Sequence, residues 1–136
     1  MRAHLFLPKI GSPPYHTVIF FPGAGAFQLR SSRDMSLETV DFIVRSGRAL
    51  LYPVHKGTYE RGTGDERGTG DERGPNAEHD LRIAWSRDLG RTIDYLETRS
   101  DIDRDRVAFY GVSSGADTGI IMTALEPRLK ASVHES

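Results

Sequence analysis

The chain contains no cysteine. Disulfide bridges, thiol nucleophiles and cysteine-ligated zinc are thereby excluded. A surplus of basic charge is also missing: 18 Lys and Arg stand against 19 Asp and Glu, for a net charge of -1. Binding along a phosphate backbone needs a basic excess, so no nucleic-acid partner is expected. Long apolar runs are absent too. None approaches the ~20 residues that a membrane-spanning helix requires, and no membrane association is expected. The start, Met1 to Pro8, lacks the apolar core and cleavage site of a signal peptide, which points to a cytoplasmic protein. Only 38% of the 136 residues are hydrophobic, which still suffices for one core. The length fits a single domain over residues 1–136.

What is present alternates between strand and helix patterns. Thr17-Val18-Ile19-Phe20-Phe21 is a continuous β-branched and aromatic run that stops at Pro22-Gly23. Ala49 to Val54, Val107 to Tyr110 and Ala131 to His134 read the same way, and Ala3 to Leu7 reads as an edge strand. Unbroken apolar runs suit strands covered on both faces. Three helices are expected between them. The first starts at Ser36, shows Leu37, Val40, Ile43 and Val44 on one face, and stops at Gly47. The second runs from about Asp80 to Arg99, with Leu81, Trp85, Leu89, Ile93 and Leu96 as its stripe. The third runs from Ser114 to Glu126. This pattern predicts an α/β fold: a mostly parallel sheet of about five strands flanked by helices.

One segment breaks the pattern. Arg61-Gly62-Thr63-Gly64-Asp65-Glu66 is repeated at once as Arg67-Gly68-Thr69-Gly70-Asp71-Glu72. It lies in a Gly-rich, charged stretch with little apolar surface to bury, so a flexible insertion is expected over 56–79. A mobile flap over the site is the alternative reading of the same stretch.

The chemistry is concentrated in Tyr110-Gly111-Val112-Ser113-Ser114-Gly115-Ala116. It has the G-x-S-x-G pattern, follows a buried strand and opens a helix. That is the setting of a nucleophile elbow, in which a strained turn holds a serine hydroxyl at the carboxyl edge of the sheet. Ser113 is the expected nucleophile. The amide of Ser114, at the helix start, points to where an oxyanion would form. The loop Pro22-Gly23-Ala24-Gly25-Ala26, after the earlier strand, can offer the Ala24 and Gly25 amides to the same oxygen. It is not a dinucleotide loop, because Gln28 stands where the third glycine belongs, and no Lys-Ser/Thr follows for a P-loop. The five histidines are scattered and lack ligand spacing, so neither metal nor cofactor is expected.

These pieces resemble the α/β hydrolases, in particular the branch of dienelactone hydrolases and prolyl-oligopeptidase-like esterases. The resemblance rests on Val18 to Gly25, Leu51-Tyr52-Pro53-Val54, Asp101 to Val107, and the elbow. It implies a truncated hydrolase core, corresponding to the family's central sheet from its second to its sixth strand. It also implies Ser113 as nucleophile, with Ser114, Ala24 and Gly25 forming the oxyanion hole.

The chain departs from that family after the elbow. The family's acid and histidine follow the nucleophile in chain order. Only 23 residues follow Ser113 here, so neither has a matching position. His134, at the end of the last strand, is the first candidate base, and Asp117, one helical turn beyond Ser113, the candidate acid. His55 is the second choice as base, and His79 borders the insertion. His4 and His16 are expected away from the carboxyl edge. The reading is an ester hydrolase for small-molecule, short-chain esters with an incomplete or rearranged triad. The alternative is a non-catalytic fragment or an oligomeric binding module. The last strand is expected to have an exposed edge, and exposed edges recruit other chains, so a homo-oligomer through that strand is expected.

Overall fold

The computed structural model describes residues 1–62 and 76–136. The chain begins with β1 (Ala3–Phe6) and β2 (Tyr15–Phe21). A short helix α1 (Gly25–Gln28) and a single 3-10 turn (Ser32–Asp34) follow. Next come α2 (Asp41–Arg45), β3 (Ala49–Pro53) and a second 3-10 turn (Tyr59–Arg61). The long helix α3 (Ala77–Glu97), β4 (Ile102–Val112), α4 (Ser114–Ala124) and β5 (Ala131–Glu135) complete it.

The five strands form one sheet in the order β1-β3-β2-β4-β5. All neighbours pair in parallel except β1, which runs antiparallel to β3. The continuous runs seen in the sequence are the central strands: every residue of β3 is buried. One face carries α3 and α4. There Leu81, Trp85, Leu89, Ile93 and Leu96 of α3 pack on Ile19, Phe21, Leu51, Val107 and Phe109. On the other face Val40, Ile43 and Ala26 cover Phe20, Leu50 and Tyr52. Burying each such side chain contributes about 1.5–3 kcal/mol, so these two layers hold the sheet.

Two expectations change. The first helix starts at Asp41, not Ser36. Val40 takes a φ of -128° and turns the chain, consistent with the poor helix preference of adjacent β-branched Thr39 and Val40. The insertion expected over 56–79 is narrower. Residues 56–62 pack against the core through buried Thr58 and Tyr59, and α3 takes up 77–79. The remaining part, including most of the tandem repeat and the flap reading attached to it, lies outside the described residues. Gly47 ends the first helix with a φ of +84°, as its position implied.

Among the described residues β5 has no strand on its outer side. Ile120, Ile121, Leu125 and Val133 are exposed beside it. No helix among the described residues is long and apolar enough to cross a membrane.

Candidate active site

β4 must pass into α4 through one residue, and that residue is Ser113. Its backbone has φ 53° and ψ -120°, a conformation that costs a side-chain-bearing residue on the order of 1–3 kcal/mol. Hydrogen bonds on both sides hold it. The Ser113 amide donates to the Glu135 carbonyl at 2.7 Å, and the Ser113 carbonyl accepts from the amides of Ala116 at 2.8 Å and Asp117 at 3.1 Å. The flanking glycines let the chain cross itself. A Cβ on Gly111 would come within 2.5 Å of the Gly115 carbonyl oxygen, and one on Gly115 within 2.4 Å of the Phe21 oxygen. Ser113 is exposed at the carboxyl edge, and its hydroxyl has no hydrogen-bond partner among the described residues.

The end of β2 lies directly beside this turn. A Cβ on Gly23 would meet the Ser113 Cβ at 3.2 Å and its Oγ at 3.8 Å. Past Gly23 the chain coils into α1, with the Ala26 amide on the Gly23 carbonyl at 3.2 Å and the Phe27 amide on the Ala24 carbonyl at 3.0 Å. That leaves the Ala24 and Gly25 amides without an acceptor among the described residues, exposed to solvent. The Ser114 amide, in a half-buried residue at the start of α4, likewise has no acceptor among the described residues. The Ser114 hydroxyl is buried without a partner. Ser113 thus stands beside the loop that carries the Ala24 and Gly25 amides and just before the helix that carries the Ser114 amide.

The expected base and acid are not gathered here. β5 brings His134 alongside Gly111, two residues before the elbow. Its ring turns to the flank of α4, where Nδ1 donates to the Ala116 carbonyl at 3.1 Å and the ring packs on Phe109. Asp117 is exposed, and its carboxylate makes no hydrogen bond or ion pair among the described residues. His55 is a buried core residue, stacked on Phe21 at 4.0 Å, with both ring nitrogens unpartnered. Burial lowers its pKa to about 4, against the pull of nearby Asp88 and with the push of Arg61. It is neutral at pH 7 and enclosed in the core. His79 is exposed on the first turn of α3, 3.4 Å from the Asp80 carboxylate. His16 sits at the opposite edge with Arg106.

His4 corrects a second expectation. Because β1 is antiparallel, His4 pairs with Tyr52 near the carboxyl end of β3, at the same edge as Ser113. There it joins Ser32 and Glu60, two residues for which the sequence carried no signal. The hydrophobic pattern reports faces of elements, and these two lie in turns. Among the described residues no group of three or more His, Asp or Glu side chains is placed to hold a metal ion.

No family model matches this sequence, and no curated protein matches it. Solved structures do. Acetyl xylan esterase 1 from Thermoanaerobacterium sp. superposes with a TM-score of 0.68 at 21% identity, over 97% of this chain and 42% of that one. A cold-adapted esterase from an Arctic intertidal metagenomic library gives 0.67 at 20% identity, over 96% and 52%. A glucuronoyl esterase from Solibacter usitatus gives 0.62 at 19% identity, over 97% and 42%. The likeness extends through the whole sheet described above, while the chain spans about half or less of each of these proteins.

Proposed function

From the α/β-hydrolase fold that this sheet shares with those esterases, we propose that the chain hydrolyses short-chain carboxylic esters through an acyl-enzyme on Ser113. The observation that carries the reading is the strained Ser113 turn, which presents a hydroxyl with no partner among the described residues beside unengaged amides. Strain of this kind is held in place where function uses it. The names of the neighbours, acetyl xylan esterase among them, favour small acyl groups.

In the proposed reaction Ser113 Oγ attacks the ester carbonyl carbon. The carbonyl π electrons move to oxygen, which the Ser114, Ala24 and Gly25 amides receive. The tetrahedral adduct collapses, the C–O bond to the alcohol breaks, and the alkoxide leaves. Water then attacks the acyl-enzyme and releases the acid and Ser113. Among the described residues no imidazole is hydrogen-bonded to the Ser113 hydroxyl, so in this reading its proton passes to solvent. The first substrates are therefore activated esters, whose leaving groups depart without protonation. Rates are modest, because an oxyanion hole without its base retains only part of the acceleration.

A fluorophosphonate probe tests this by intact mass. One adduct on the wild type, and none on Ser113→Ala, is the expected result. A folded wild type that takes no label overturns the reading and leaves a binding module. The proposal extends to a homo-oligomer formed by a second copy pairing along the outer edge of β5.

A further inference from the structure

The Ala24 and Gly25 amides must hold their place as charge develops, yet both are exposed, at the start of a helix of only 4 residues. The far end of that loop is where it is fastened. Ser32 is buried, 1% exposed, in the turn after α1. Its amide donates to Glu60 Oε2 at 2.7 Å and its hydroxyl to Glu60 Oε1 at 2.9 Å. The same carboxylate takes the Arg2 guanidinium at 2.5 Å. With its own hydrogen given to Glu60, the Ser32 Oγ accepts from His4 Nε2 at 2.9 Å, which places the proton on that nitrogen. Three segments distant in sequence thus meet on one carboxylate: the start of β1, the turn after α1, and the turn after β3. The last of these also touches α1 itself, since a Cβ on Gly57 would meet Phe27 Cε1 at 3.4 Å.

We propose that Glu60 is a positioning residue for the oxyanion loop: through Ser32 it fixes residues 23–32, and with them the Ala24 and Gly25 amides, at the edge where Ser113 stands. This rests on the esterase reading for its catalytic consequence, and on the hydrogen bonds alone for its mechanical one. The chemistry requires a carboxylate. The Ser32 amide and hydroxyl, the Arg2 guanidinium and its own amide converge on Glu60, and a carboxylate is acceptor-only, with lone pairs for all of them. A glutamine would turn an N–H₂ towards one of those donors. Burial opposes the charge, but the bonds from its own amide, from Ser32 and from Arg2 outweigh it and hold Glu60 down to about 2. The clamp is therefore closed throughout the neutral range.

The test compares the full chain with Glu60→Gln and with Ser32→Ala, which loses the hydroxyl but keeps the amide bond. Three quantities are read: steady-state hydrolysis of p-nitrophenyl acetate, thermal melting, and amide hydrogen exchange over 23–32. For Glu60→Gln, kcat falls about tenfold per folded molecule with KM unchanged within twofold, since the loss falls on the transition state. Exchange over 23–32 quickens about tenfold while the β2 and β4 amides keep their protection. Ser32→Ala shows the same pattern, smaller. Unchanged exchange over 23–32, or a kcat loss that merely follows the folded fraction, overturns the proposal. If Glu60→Gln does not fold, Ser32→Ala decides on the same criteria. A wild type without ester hydrolysis overturns the esterase reading instead. The exchange data, which need no turnover, then decide separately whether Glu60 holds the loop.

Discussion

His134 Nδ1 lies 3.1 Å from the carbonyl oxygen of Ala116, and that bond turns the imidazole to the flank of α4 rather than up to Ser113. The carbonyl can only accept, so the Nδ1 proton is fixed and the ring is held by the helix that follows Ser113. The Ser113 turn and His134 are thus both tied to α4.

The rate should therefore respond to a base supplied from outside. Free imidazole is expected to raise p-nitrophenyl acetate hydrolysis by the wild type about tenfold beyond its effect on Ser113→Ala, a small share of what a built-in base supplies. His134→Ala is expected to change the unassisted rate less than twofold. Initial rates against imidazole concentration check both, and a large loss in His134→Ala would show that the ring swings to Ser113 during turnover.

Acid should unfold the chain through His55. Its pKa is about 4 in the folded chain against an ordinary 6.5, so the unfolded chain binds the proton more readily. The stability associated with the neutral ring is complete above about pH 6.5 and is lost as pH falls towards 4, by about 3 kcal/mol across the interval. Urea unfolding at pH 7.5 and at pH 5 measures this. His55→Leu, which leaves no buried ring nitrogen to protonate, is expected to flatten the profile.

The crossing at the elbow should tolerate no added carbon. Gly115→Ala would set a Cβ 2.4 Å from the Phe21 oxygen and 2.7 Å from that of Pro22, both rigid backbone. A loss above about 3 kcal/mol is expected, seen as a large fall in Tm. Gly25→Ala is the matched control, because a Cβ there meets nothing within 4 Å. Its Tm should move by no more than the equivalent of about 0.5 kcal/mol.

The proposed oligomer has a defined register. Two β5 strands paired antiparallel about Val133 would set Val133 against its copy and Ser132 against His134, with no like charges opposed. Val133 is 57% exposed in the single chain and Leu125, just past the end of α4, 71%. Light scattering is expected to give at least twice the mass of one chain, falling to one for Val133→Glu. A single-chain mass for the wild type removes the proposal.

Much of this molecule was legible before any coordinates. Period and composition marked the central strands, the α3 stripe and the Gly-Val-Ser-Ser-Gly turn, because each is a local pattern with a local cause. The unread parts depend on direction and depth. Nothing in Ala3 to Phe6 says that β1 runs against its neighbour, yet that reversal carries His4 to the edge of Ser113. His55 follows β3 at the carboxyl edge, and only the aromatic layer of Phe21 and Trp85 makes it core. His134 reached the expected register position, while its side-chain direction was set by Ala116 on another element. Ser32 and Glu60 are 28 residues apart and meet by a hydrogen bond that no periodicity records.

The ladder between β4 and β5 continues one step past the strand, since the amide it uses at the end is that of Ser113 itself, on the Glu135 carbonyl. The torsion of Ser113 and the course of β5 are for that reason mechanically joined. A strand laid along the outside of β5 would stiffen that spring and narrow the angles Ser113 samples. Pulling β5 away would break that hydrogen bond and free one side of the strained turn. A second strand on that edge would in this way reach the Ser113 turn through one backbone hydrogen bond, with no ligand in between.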